Sequence, residues 1–150
     1  MAQPHTDSET SAILTLLGGP KVFPRRIRNA RDLQSALREG FPFAAFDSVQ
    51  IALEFKPGEL AELVGVASRT LARRKKAKQL SPIESDRLYR VAHVLMLATS
   101  VLGSLDTARR WLQAPNQALG GEPPVSLLDT EIGERQVEDV LSRINHGVLG

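Results

Sequence analysis

Residues 57–77 read P-G-E-L-A-E-L-V-G-V-A-S-R-T-L-A-R-R-K-K-A, two short helical patterns on either side of Gly65. Pro57 suits the first turn of a helix, where its missing N–H costs nothing. Leu60, Ala61, Leu63 and Val64 supply an apolar face, and Glu59 and Glu62 are the polar positions. Gly65 breaks this helix. Ser68 is read as the cap of a second one running to about Ala77, with Leu71 and Ala72 as its inward residues. A short helix, a glycine turn and a second helix form the layout of a helix-turn-helix. In that layout the first turn of the second helix probes base edges in the major groove, while its flank lies against phosphates. Arg69 then reads guanine or grips phosphate, and Ser68 and Thr70 donate to either. Arg73, four residues on, shares the face of Arg69, and Arg74, Lys75, Lys76 and Lys78 supply attraction to the backbone. The competing reading of these cations is a plain solvated helix face, and the helix–glycine–helix frame favours DNA.

Charge is unevenly divided around this stretch. Residues 1–110 carry 17 basic and 11 acidic side chains, whereas residues 111–150 carry 2 and 6, so the net +2 of the chain conceals a basic part and an acidic end. Val66 to Lys78 holds six basic residues and no acid. Such a patch attracts polyanions more strongly than net charge suggests, and an acidic end suits a basic protein surface.

Outward from the motif, the pattern stays helical. Ser81-Pro82-Ile83-Glu84 combines a capping serine, a proline at the first helical position and a glutamate able to return a bond to the serine backbone. The helix it starts runs to about Leu102, with Leu88, Val91, Ala92, Leu95, Thr99 and Leu102 at core spacing and Gly103 closing it. A further helix spans about Leu105 to Gln113 and carries Trp111, read as a core or interface anchor. Pro115 to Pro124 is a turn-rich connector. Asp129 or Thr130 starts a last amphipathic helix with Val137, Val140, Leu141 and Ile144 inward, and Gly147 ends it. Toward the start, Ser8–Leu17 is a short helix behind frayed residues. An arginine-rich linker follows it, then a helix capped by Asn29 with Leu33 and Leu37 on one face. About Pro42 to Glu54 reads as another helix, with a short strand as the alternative because of its isoleucine and valine.

Composition narrows the function classes. At 150 residues and 42% hydrophobic, the chain has enough apolar material for its own core. With no cysteine, thiolate metal sites, disulfide scaffolds and cysteine nucleophiles are excluded. The three histidines, at 5, 93 and 146, are far apart in sequence, so no metal site, cofactor or catalytic residue is expected. Asp86 and His93, seven apart on one helix, are two turns from each other and lack a nucleophile. His93 is read as a helix-packing or surface residue, and Glu134, Glu138 and Asp139 as the polar face of an amphipathic helix. No signal peptide is evident, and the run Val91–Leu102 falls short of a membrane span, so a cytoplasmic chain is expected.

Beyond the helix-turn-helix, Trp111 through Gly150 (W-L-Q-A-P-N-Q-A-L-G-G-E-P-P-V-S-L-L-D-T-E-I-G-E-R-Q-V-E-D-V-L-S-R-I-N-H-G-V-L-G) and Leu80–Arg90 (L-S-P-I-E-S-D-R-L-Y-R) closely resemble the Xre/MbcA/ParS antitoxin family, over about residues 40–150. The resemblance implies an antitoxin that obstructs the active-site entrance of a RES-domain toxin and represses the shared operon through operator DNA. NAD would be the substrate of the toxin and not a cofactor of this chain. Carried onto this sequence, the toxin-facing residues are Arg143, His146, Val148, Leu149 and Gly150, with Val148 and Leu149 at the pocket mouth. Asn145 stands where many relatives have glutamate, and Leu149 near a common phenylalanine, which implies an altered toxin preference.

The expected architecture is all-α, a helix-turn-helix module fused to a small helical toxin-binding domain. Residues 1–55 form an N-terminal helical region with a possible dimerisation role, 56–103 the DNA-binding region with its long supporting helix, and 104–150 the toxin-binding domain. Expected partners are the cognate toxin, operator duplex DNA and a second copy of the chain, because two half-sites require two reading helices. The alternative is a stand-alone dimeric helix-turn-helix regulator whose C-terminal region serves oligomerisation.

Overall fold

Local capping chemistry sets several of the helix boundaries in the computed structural model, which describes residues 4–147. The helices are α1 (Pro4–Leu16), α2 (Ala30–Glu39), α3 (Ala44–Leu53), α4 (Pro57–Val64), α5 (Ser68–Ala77), α6 (Pro82–Leu102), α7 (Leu105–Gln113) and α8 (Glu131–Asn145), and no strand occurs among the described residues. Asn29 Oδ1 accepts the Asp32 N–H at 3.0 Å to start α2, and Thr130 Oγ1 accepts the Gly133 N–H at 3.0 Å to start α8. At the start of α6, Ser81 Oγ accepts the Glu84 N–H at 3.2 Å while Glu84 Oε1 accepts the Ser81 N–H at 2.9 Å, the reciprocal box read from the sequence. The segment 44–53 is helical and not a strand. α1 begins at Pro4, ahead of the expected Ser8.

The chain divides into two compact units, one up to Ala92 and one from His93, with α6 passing from the first to the second. In the first unit, Leu17, Phe41, Phe46, Val49, Leu53, Leu60, Val64 and Leu88 are essentially fully buried. Phe23 meets Phe41 edge-to-face with ring centroids 5.2 Å apart, a favourable aromatic geometry. The apolar faces of the helices before residue 55 are thus occupied within their own unit, and Ile51, 73% exposed, is the large apolar side chain they leave outside.

A short antiparallel pairing closes the back of the motif. Leu80 N–H donates to the Phe41 carbonyl at 2.9 Å and Phe43 N–H donates to the Lys78 carbonyl at 3.1 Å, with an isolated bridge at Pro42 and Gln79. Ser85, fully buried, accepts the Phe41 N–H at 2.7 Å and donates to the Ser81 carbonyl at 2.7 Å. These bonds fix the C-terminal end of α5 against the segment between α2 and α3.

The second unit comprises the later part of α6, then α7, two 3-10 turns (Gln117–Leu119 and Pro124–Leu127) and α8. Leu95, Leu112, Leu128, Val137 and Leu141 form its interior, and Trp111 is half-buried. Gly133 permits a close approach here. A Cβ at that position would collide with the carbonyl of Leu127. No single helix among the described residues is long and apolar enough to cross a membrane.

Candidate functional site

The turn between α4 and α5 is built by Gly65 at φ +76°, a left-handed conformation that favours glycine. Val66 N–H donates back to the Ala61 carbonyl at 2.8 Å, and Arg87 of α6 donates to the Val64 carbonyl at 3.2 Å, so the end of α4 is satisfied from two directions. The N-cap of α5 is Ala67, not Ser68, and it makes no side-chain cap. Buried Val66 before the cap and Leu71 at the fourth helical position occupy the staple positions that orient an incoming chain, which explains why the helix starts one residue early. Ser68 is therefore the first helical residue, exposed, with its hydroxyl released from capping.

No residue of α5 is fully buried, and Ala72, expected to face inward, is exposed. Leu71 is half-buried. Ser68, Arg69, Arg73, Lys75, Lys76 and Lys78 are all exposed, and Thr70 is half-buried. Among the described residues Arg69, Lys75, Lys76 and Lys78 form no ion pair. Arg73 reaches only Thr70 Oγ1, at the 3.5 Å limit of a hydrogen bond. The uncapped first turn, with free N–H groups and a positive dipole end, adds to a surface suited to anions.

Arg74 differs from its neighbours. Its Nε donates to Glu84 Oε1 at 2.9 Å, and Glu84 is only 10% exposed in its side chain. Burial raises the Glu84 carboxyl, but Arg74 and the Ser81 N–H outweigh it and hold the group below its ordinary 4.5. The Arg74 guanidinium is raised in return, chiefly by the bond to Glu84. This pair ties the α5 helix to the start of α6. A carboxylate depressed in the folded state stabilises fully above the ordinary 4.5, and that contribution disappears as pH falls through the lower folded value. Glu84→Gln retains the reciprocal cap and removes the charge, so at pH 7 it should melt on the order of a few degrees below wild type. The gap should close as acid titrations pass below 4.5, measured by circular dichroism; a gap independent of pH would mean the ion pair contributes nothing.

On α8, Arg143 is exposed and forms no ion pair among the described residues. With Gln136, Asp139 and Val140 it lines a cavity of about 360 Å³ whose other wall is residues 118–120 and Leu127. His146 is the C-cap of α8, and its Nδ1 lies 2.7 Å from the Ser142 carbonyl. A carbonyl only accepts, so Nδ1 is the donor in this contact. Val148, Leu149 and Gly150, the other expected toxin-facing residues, lie outside the described residues.

Two family models match this chain. Residues 32–93 match the Antitoxin Xre-like helix-turn-helix domain, and residues 97–147 match the Antitoxin Xre/MbcA/ParS C-terminal toxin-binding domain. The chain belongs to the Xre/MbcA/ParS antitoxin family. Among curated relatives, an "Antitoxin Xre" of Photorhabdus laumondii subsp. laumondii is 33% identical over 119 residues, covering 78% of this chain and 80% of the relative. One of Yersinia enterocolitica serotype O:8 is 32% identical with the same coverage. One of Pseudomonas putida is 41% identical over 80 residues, covering 53% of this chain and 50% of the relative. Within this antitoxin, α4 and α5 fall in the helix-turn-helix match, and Arg143 and His146 fall in the toxin-binding match.

The antitoxin also contains a cluster that sequence spacing did not reveal. His93 Nδ1 lies 3.6 Å from Glu134 Oε1 and 3.3 Å from Glu138 Oε1. The two glutamates stand four apart on α8, so their carboxylates share one face of that helix beside the imidazole. The three side chains are half-buried, and their ligand atoms all lie within 4.8 Å of one another. Among the described residues this is the group able to offer three ligand atoms to a metal ion. Asp86 is exposed and takes no part in it.

Proposed function

We propose that this chain is the antitoxin of a toxin–antitoxin pair: its C-terminal residues hold and obstruct a RES-domain toxin that degrades NAD, and α4–α5 bind operator DNA to repress the shared genes. The observation that carries the reading is the combination, in one chain, of an exposed α5 whose cations other than Arg74 form no ion pair among the described residues and a C-terminal toxin-binding domain. Arg143 and His146, with Val148, Leu149 and Gly150, are the proposed toxin contacts. Inhibition by obstruction needs no chemistry from this chain and no cofactor. Operator recognition by paired half-sites favours a homodimer or higher assembly.

The deciding experiment is coexpression with the product of the neighbouring gene, followed by size-exclusion chromatography with light scattering and an NAD-consumption assay. A stable complex with NAD consumption silenced is expected. A lone oligomer, with the neighbour unbound and still active, would replace this reading by that of an independent helix-turn-helix regulator.

For the DNA arm, Arg69→Ala should weaken operator binding by roughly five- to 100-fold and relax sequence preference, as loss of a base contact does. An equal loss on every duplex would reassign Arg69 to phosphate. Reversing charge at Lys75 and Lys76 should reduce affinity mainly at low salt. Both are read by fluorescence anisotropy on the promoter duplex and an unrelated one.

A further inference from the structure

We infer that the segment Pro24–Arg28, together with Lys78, forms a second DNA-backbone site beside α5; this rests on the reading of α5 as a DNA-binding helix. Between α1 and α2, the chain from Phe23 to Arg28 runs without helix or strand and borders a cavity of about 730 Å³. Phe23, Ile27 and Pro42 contribute apolar walls, and Arg25, Arg26, Arg28 and Lys78 contribute four cations against the two acids Asp32 and Glu39.

The four cations are not equivalent. Arg28 is engaged in holding the segment: its backbone N–H and its Nε both donate to Asp32 Oδ2, at 3.0 and 3.1 Å. The Arg28 N–H, and then its guanidinium, hold the Asp32 carboxyl below its ordinary 3.8. At the other end Phe23 is buried against Phe41. The cations between these anchors are thus presented by a pre-ordered backbone, which reduces the entropy lost on binding. Arg25 meets Glu39 at 3.7 Å with both side chains largely in water, a contact of little worth that a phosphate can replace. Arg26 and Lys78 form no ion pair among the described residues.

Placement selects the ligand. Lys78 and Gln79 directly follow α5, and Gln79 Nε2 donates to the Glu39 carbonyl at 2.8 Å, so the cavity is built against the last turn of that helix. α5 has ten residues, about 15 Å of length, so the cavity stands roughly that far from Ser68. That distance suits flanking phosphates and not the base edges that Ser68 and Arg69 would reach. Guanidinium groups match phosphate oxygens in geometry as well as charge. The helix-turn-helix match begins at residue 32, so this segment lies outside the module that the family model describes.

The test uses the full chain, a fluorescein-labelled duplex from upstream of its own gene and an unrelated duplex of equal length, from about 50 to 200 mM salt. The double variant Arg26→Gln, Lys78→Asn is compared with Arg69→Ala; asparagine is chosen because Lys78 has φ +61°. Each lost phosphate contact should lower the slope of log K against log salt by about 0.9. The double variant should therefore lose about 1.8 in slope, on both duplexes alike, with sequence preference and melting temperature retained. Arg26→Lys alone should keep the wild-type slope. A wild-type slope in the double variant, while Arg69→Ala still weakens binding, overturns the inference and leaves the α5 reading intact. Failure of the wild-type chain to bind either duplex overturns both. A double variant with unchanged slope and weakened toxin neutralisation would give the groove to a protein partner and overturn the inference too.

Discussion

Removing Arg143–Gly150 is expected to abolish toxin neutralisation while leaving promoter binding within about twofold of wild type, since additivity holds for sites that share no partners. The cut falls after Val137, Val140 and Leu141, the α8 side chains buried in the second unit, and takes from α8 only half-buried Ile144 among its apolar residues. The interior of that unit therefore remains supplied. What goes is exposed Arg143, the His146 cap and the tail proposed to plug the toxin. A single interface hot spot is worth about 2 kcal/mol or more, and several lost together should reduce affinity for the toxin by roughly 100-fold or more. Growth rescue on coexpression and calorimetric titration against the toxin read the first effect, and anisotropy on the promoter duplex reads the second. Loss of both activities in a chain that still melts cooperatively would defeat the division of labour. Arg143→Glu supplies a finer control, because it changes one exposed charge without shortening the helix.

Gly133→Ala should lower the melting temperature by about 5 °C, against the usual sign of a glycine-to-alanine change inside a helix. Alanine is favoured over glycine in a helix interior by about 1 kcal/mol. Here that gain is overridden, because the new Cβ would collide with the Leu127 carbonyl, a backbone atom that moves only with its whole turn. Overpacking of this kind costs about 1–3 kcal/mol and occasionally more. Gly58, in the first turn of α4, is the matched control: a Cβ there meets nothing within 4 Å and the backbone is not left-handed. Gly58→Ala should stabilise by about 0.4–1 kcal/mol through the unfolded chain. Opposite shifts in the two melts are the expected pattern. A rise in both would show that α8 and the 124–127 turn can separate freely.

Much of this architecture was legible because its determinants are local. The cap at Asn29, the reciprocal box at Ser81 and Glu84, and the cap at Thr130 each join residues three apart, so a spacing rule identifies them without knowledge of the fold. Helical periodicity likewise marked Leu88, Leu95, Val137 and Leu141, all buried. The same locality explains the error at Ser68, whose residue type suits a cap: the buried Val66, positioned by the turn at Gly65, moved the helix start to Ala67.

The sequence by itself determined an all-α chain, its helix boundaries to within a few residues, the helix–glycine–helix layout and the segregation of positive from negative charge. Only the tertiary structure decided which cations are available. It neutralised Arg74 with Glu84, engaged Arg28 with Asp32, and left Arg26, Arg69 and Lys78 without an ion pair among the described residues. It also joined His93 to Glu134 and Glu138, bound Phe41 to Ser85 across 44 positions, and pressed Gly133 onto Leu127. A cap depends on the dihedral angles of one turn, whereas these pairings depend on where separate helices come to rest. That position is set by the packing of many side chains at once, and no fixed spacing along the chain encodes it.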